Sequence, residues 1–178
     1  MAFGISVVVL HWASVVAAAY FTVKSGGKPS DIGFDMRAAG LSIFLAVIVG
    51  TGMLFIWLRG MWPASNLSEP EAWQMMYPWT TAERLFGIFL YLSAGFCEEF
   101  VYRGWAIRTL QARGMKTWKA VSLATLSFVF LHGVAAFFMF PFLIVAGVLF
   151  SLLFLWTKRL SPGMYIHALF DMMCILAV

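Results

Sequence analysis

The chain has 178 residues, 62% of them hydrophobic and 11% charged, with a formal net charge of +4. Soluble domains carry about 25% charged residues, so this chain cannot hide its apolar surface in one soluble core; a polytopic, all-α transmembrane bundle is the class that remains. A membrane β-barrel is excluded because alternating segments of about ten residues are absent, and the positive balance has the form of a loop bias, not of a nucleic-acid surface.

Six apolar segments follow one another: Phe3–Val23, Ala38–Leu58, Leu85–Ile107, Ala120–Phe140, Pro141–Thr157 and Gly163–Val178. A span needs about 20 residues. The first four qualify; the fifth and sixth are short and would be tilted or partly covered by protein. The first segment has no basic residue before it and no small-residue cleavage site, so a retained helix is expected rather than a cleaved signal peptide. Between the second and third lies the longest loop, Arg59 to Glu83, with Pro63, Pro70 and Pro78. It ends in "TTAE", where Thr80 and Glu83 have capping-box spacing for the next helix. A tight turn at Pro141 is expected to part the fourth segment from the fifth.

Orientation follows the basic residues. Lys24, Lys28, Arg37, Arg108, Arg113, Lys116, Lys119, Lys158 and Arg159 fall in one set of loops; the other set holds Arg59 and Arg84 beside Glu69, Glu71 and Glu83. The first set is expected in the cytoplasm and both termini outside. Trp57, Trp62, Trp73 and Trp79 cluster at outer ends and Trp105, Trp118 and Trp156 at inner ends, where an apolar ring with a polar N–H belongs. Only Trp12 sits mid-span. Cys97 and Cys174 both fall in apolar segments, which suggests packing or local chemistry more than a disulfide.

The third segment contains "SAGFCEEFVYRGW", with Glu98, Glu99 and Arg103 at bilayer depth. A charge at the centre of a span costs about 2.5–3.5 kcal/mol on insertion scales. Glu99 and Arg103 are four apart and can pair. Glu98 lies about 100° around the helix, faces Tyr102 instead, and is left over. The chain has three histidines, His11, His132 and His167. A lone buried histidine is usually a core residue, and His11 is so assigned. Phe128 shares a face with His132, and Asp171 with His167. At about 1.5 Å per residue, Glu98 lies roughly 13 Å, His132 roughly 20 Å, His167 roughly 9 Å and Asp171 roughly 15 Å from the inner helix ends, so all four can line one cavity in the cytoplasmic half. A carboxylate can take a proton from water while imidazoles assist a reacting carbonyl. Alternatively, Glu98, His132, His167 and Asp171 would be a zinc ligand set with a place for water. Either route gives amide hydrolysis. Ser14, Ser42 and Ser127 are expected to bond their own helices, and no nucleophile elbow, P-loop or dinucleotide turn is present.

"EEFVYR" at Glu98–Arg103, "FVFLH" at Phe128–His132 and "HALFD" at His167–Asp171 resemble, in order, the EExxxR, FxxxH and HxxxN/D motifs of the CAAX-processing and bacteriocin-processing (CPBP, or Abi) intramembrane endopeptidases. The resemblance covers about Leu85 to the C-terminus. It divides the chain into 1–84, N-terminal helices and outer loop, and 85–178, the catalytic core, within one membrane domain. It implies an intramembrane protease in which Glu98 activates water, His132 and His167 orient water or stabilise the oxyanion, and Glu99 and Arg103 support the site. The favoured mechanism is glutamate-type with no cofactor; zinc is the alternative. Asp171 departs from the Asn common in the family: an ionised Asp cannot donate to an oxyanion, so it would have to carry a proton, orient His167 or bind metal. The implied substrate is a membrane-embedded or lipid-anchored protein or peptide tail, and the expected location is a prokaryotic inner membrane. The rival functions are a non-catalytic immunity or peptide-binding protein of the same fold, an ion or proton carrier, and a zinc hydrolase acting on lipid. The outer half of the last four segments is nearly free of ionisable groups, which argues against the carrier.

Overall fold

The computed structural model describes residues 2–35, 40, 44–45, 47–52 and 80–176, and every regular element among the described residues is helical. Helix α1 is Ala2–Lys24. A 3-10 turn at Pro29–Ile32 follows, closed by Gly33 in the left-handed region at φ 83°. The expected second span and the long outer loop lie mostly outside the described residues, as do Trp57, Trp62, Trp73 and Trp79.

Helix α2, Thr81–Glu98, starts at the expected cap. Glu83 N–H donates to Thr80 Oγ1 at 3.2 Å, and Thr80 N–H donates back to the Glu83 carboxylate at 3.0 Å. The helix then widens into a π-helix, Glu99–Ala106, and returns to α geometry as α3, Ile107–Ala112. The three pieces form one rod, Thr81–Ala112, longer at both ends than the expected segment. Helices α4 (Thr117–Leu131), α5 (Val134–Thr157) and α6 (Ser161–Leu176) complete the described fold.

The turn expected at Pro141 is corrected by the structure. The chain turns at His132–Gly133, and Pro141 lies inside α5. Within an unbroken apolar run neither length nor composition marks a turn. Gly133 does, because its φ of 58° is a conformation that glycine adopts without steric penalty. Proline is tolerated in such a helix because neighbouring groups and local adjustments satisfy the freed backbone.

Three helical stretches, Gly4–Lys24, Thr81–Ala112 and Phe140–Thr157, are long and apolar enough to cross a membrane. Of these the central rod is the most buried. Large apolar side chains such as Val9, Leu85, Leu131, Leu149 and Trp156 face outward, as an apolar solvent allows. The core gathers Val15 and Ala18 of α1, Cys97 and Phe100 of the rod, Ala120 and Ala124 of α4, Phe154 of α5 and Met164 of α6. Cys97 is a free thiol packed within it.

Two features place α6 against the rod. A Cβ on Gly95 would lie 2.7 Å from Ala168 N, so the two backbones touch where only glycine fits. At the start of α6, Leu160 N–H donates to Gly33 O at 2.9 Å, and Leu160 is buried. Helix α6 therefore begins inside the protein. His167, under two turns from that start, thereby reaches groups that lie further along α2 and α4 than equal helix ends would suggest.

Candidate active site

Glu98 and Glu99 sit at the join of α2 and the π-helix, and both are buried. Neighbouring residues on a helix point in different directions, and the two glutamates meet different partners. Glu99 pairs with Arg103 at 3.0 Å, as the spacing of four predicts. The same Glu99 oxygen accepts from His167 Nδ1 at 2.9 Å. Its other oxygen lies where a Cβ on Gly163 would approach to 2.9 Å, so the glycine opens the first turn of α6 to the carboxylate. Arg103 is 1% exposed. Its guanidinium lies 4.5 Å from the Phe128 ring and 5.5 Å from Phe150, and donates to Gly147 O at 3.5 Å. A buried charge with this many partners is a brace.

Glu98, left over from the pairing with Arg103, faces two imidazoles. His11 Nε2 approaches its Oε1 to 3.2 Å, and His167 Nε2 lies 3.6 Å from its Oε2. His167 thus bridges the two glutamates, one ring nitrogen to each. Its Nε2 also lies 3.7 Å from Asp171 Oδ2, and its ring stacks on Phe150 at 4.9 Å. Glu98, His167 and Asp171 therefore come together as the sequence suggests. Among the described residues, Glu98 Oε2 is a buried oxygen with no hydrogen-bond partner.

His132 joins the group less directly. Its Nδ1 lies 2.8 Å from Phe128 O; a carbonyl only accepts, so Nδ1 carries the proton. The Phe128 ring is the hub: His132 lies 4.7 Å from it, Tyr102 5.6 Å and His167 6.2 Å between ring centroids. Tyr102 packs on this hub. Among the described residues no group of three or more His, Cys, Asp and Glu side chains is arranged to hold a metal ion.

His11 is the residue that sequence reasoning missed. Its signal lay in α1 itself. Gly4, Val8, His11, Val15, Ala18 and Thr22 recur at spacings of three and four, which is one helix face. Val15, Ala18 and Thr22 are buried, Gly4 lies against the Phe86 ring, and Trp12 beside the stripe donates to Ser93 Oγ at 3.3 Å and stacks on Phe96. Small residues on one face are the mark of close helix packing in membranes, so His11 is aimed at α2.

The family model described as Type II CAAX prenyl endopeptidase Rce1-like matches residues 80–173. No curated protein and no solved structure matches the chain. The matched segment starts at the Thr80 cap, holds all three motifs and spans more than half of the 178 residues. The paired acidic residues of the rod and the histidines facing them are thus set in a protease framework, and the chain belongs to the type II CAAX prenyl endopeptidase Rce1-like family.

Proposed function

We propose that the protein is an intramembrane endopeptidase that hydrolyses a peptide bond in a membrane-associated protein or peptide tail, with Glu98 activating the water. The observation that carries this reading is the Glu98 carboxylate: buried, with Oε2 unpartnered among the described residues and 3.6 Å from His167 Nε2. Glu98 takes one proton from water as the oxygen attacks the scissile carbonyl carbon. The carbonyl becomes an oxyanion. Glu98 returns the proton to the amide nitrogen, the C–N bond breaks, and a carboxylic acid and an amine leave, which ionise to carboxylate and ammonium.

The imidazoles act through Nε2, because each has its Nδ1 engaged. As a neutral ring such a nitrogen accepts from water; as an imidazolium it donates to the oxyanion. Glu99 and Arg103 hold His167 rather than react. Asp171, near the same Nε2, orients His167. The framework supports a prenylated C-terminal tail as one substrate class, in keeping with the family description. The site would open to the cytoplasmic half of a prokaryotic inner membrane, as the loop charges suggest.

The test compares protein termini by mass spectrometry in cells carrying the wild type, Glu98→Gln or His132→Ala. Cleavages made by the wild type should vanish with either variant, while both variants insert and accumulate normally. Identical termini in all three strains would refute proteolysis and favour a peptide-binding or immunity role on the same fold.

A further inference from the structure

Helix α1 lies outside the family-matched residues 80–173, yet it delivers an imidazole to the central carboxylate. We propose that His11 is a positioning residue for Glu98, so that the site is completed by the N-terminal helix. This role rests on Glu98 acting on water, as proposed above.

The geometry distinguishes His11 from the other two histidines. His132 and His167 are engaged through Nδ1, whereas His11 presents Nε2 to Glu98 Oε1 at 3.2 Å. A carboxylate oxygen accepts, so the His11 proton sits on Nε2. Its Nδ1 is buried and has no hydrogen-bond partner among the described residues. Among the described residues the Glu98 contact is the polar contact that explains its place in the fold. The helix that carries the ring is also anchored. Val15 and Ala18 on the same face are packed into the core, and the Trp12 side chain is fixed by Ser93 and Phe96.

The consequence is a division of labour between the two oxygens of Glu98. His11 occupies Oε1. The proton drawn from water then goes to Oε2, which has no hydrogen-bond partner among the described residues and faces His167 Nε2, and leaves from Oε2 to the departing nitrogen. Without His11 the carboxylate can rotate about its last side-chain bond and present either oxygen in either direction. Misplacement of a reacting group by about 1 Å is enough to lower a rate about 100-fold.

The experiment measures the initial rate at which Glu98-dependent protein termini appear after induction in cells. It compares the wild type, Glu98→Gln, His11→Leu, His11→Gln and His11→Asn, with membrane level and unfolding midpoint recorded for each. His11→Leu should slow cleavage about 100-fold. His11→Gln puts an amide N–H near the Nε2 position and should recover activity to within about tenfold of the wild type. His11→Asn puts its N–H near the Nδ1 position and should not recover it. A merely structural role would not sort Gln from Asn. Cleavage that is lost in Glu98→Gln but keeps its wild-type rate in His11→Leu overturns this inference and leaves the endopeptidase reading intact. A Gln variant no faster than Leu also overturns it. Cleavage that persists in Glu98→Gln overturns the endopeptidase reading, and the role of His11 with it.

Discussion

Replacing Glu99 by Gln separates a brace from a reactive group. Glu99 and Arg103 are each 1% exposed. The substitution removes the negative charge 3.0 Å from the guanidinium and leaves it neutral oxygens alone, the new amide oxygen and Gly147 O at 3.5 Å, among the contacts described above. Breaking a buried ion pair from one side costs about 3–5 kcal/mol. For a chain of this size each kcal/mol moves the unfolding midpoint by about 2–4 °C, so the expected drop is roughly 6–20 °C. Glu98→Gln loses the charge that faces the His11 and His167 imidazoles, about 1.5–3 kcal/mol, and should move the midpoint less, by about 3–12 °C. The assay is thermal unfolding in detergent, followed by a thiol-reactive dye that reports exposure of buried Cys97. A Cys174→Ser background leaves Cys97 as the single thiol of a chain with two cysteines. An unchanged midpoint for Glu99→Gln would refute the brace. Equal drops for both glutamates would refute the division between them.

The close approach at Gly95 gives a second test. A Cβ there meets Ala168 backbone atoms at 2.7 and 3.0 Å, which cannot swing aside as a side chain would. Gly95→Ala should therefore push α6 from α2, destabilise by about 1–3 kcal/mol and lower cleavage, because His167 moves from Glu98 with it; normal cleavage at an unchanged midpoint would show that the contact is slack. Metal dependence is read by treating membranes with 1,10-phenanthroline. The glutamate route predicts unchanged cleavage, and a loss restored by added zinc would replace it with a metal mechanism.

The parts of the site that were legible in the sequence are those set by local spacing. Glu99 and Arg103 are four apart on one helix, and Thr80 and Glu83 three apart at its start, so their partners follow from helix geometry. Convergence of Glu98, His167 and Asp171 was legible from the motifs. What was not legible depends on how helices meet. His11 needed the position of α1 against α2, which a single histidine in an apolar segment does not announce. The turn at Gly133 was hidden because proline is the louder signal in an apolar run, although the positive φ of glycine is what reverses the chain.

The π-helix makes the rod's response to a lost residue depend on where the loss falls. A π turn takes up more residues than an α turn in one revolution, so Glu99–Ala106 stores a surplus within an otherwise regular helix. Loss of one residue at Trp105 or Ala106 would spare every letter of "EEFVYR" and would let the backbone relax towards ordinary α winding. The surplus would absorb the loss, so Ile107, a side chain with no exposed surface, would keep its place in the core. The same loss in α3, at Thr109, has no surplus to draw on and turns everything beyond it by about 100° around the axis. A deletion is thus a local event within the π-helix and a change of frame beyond it.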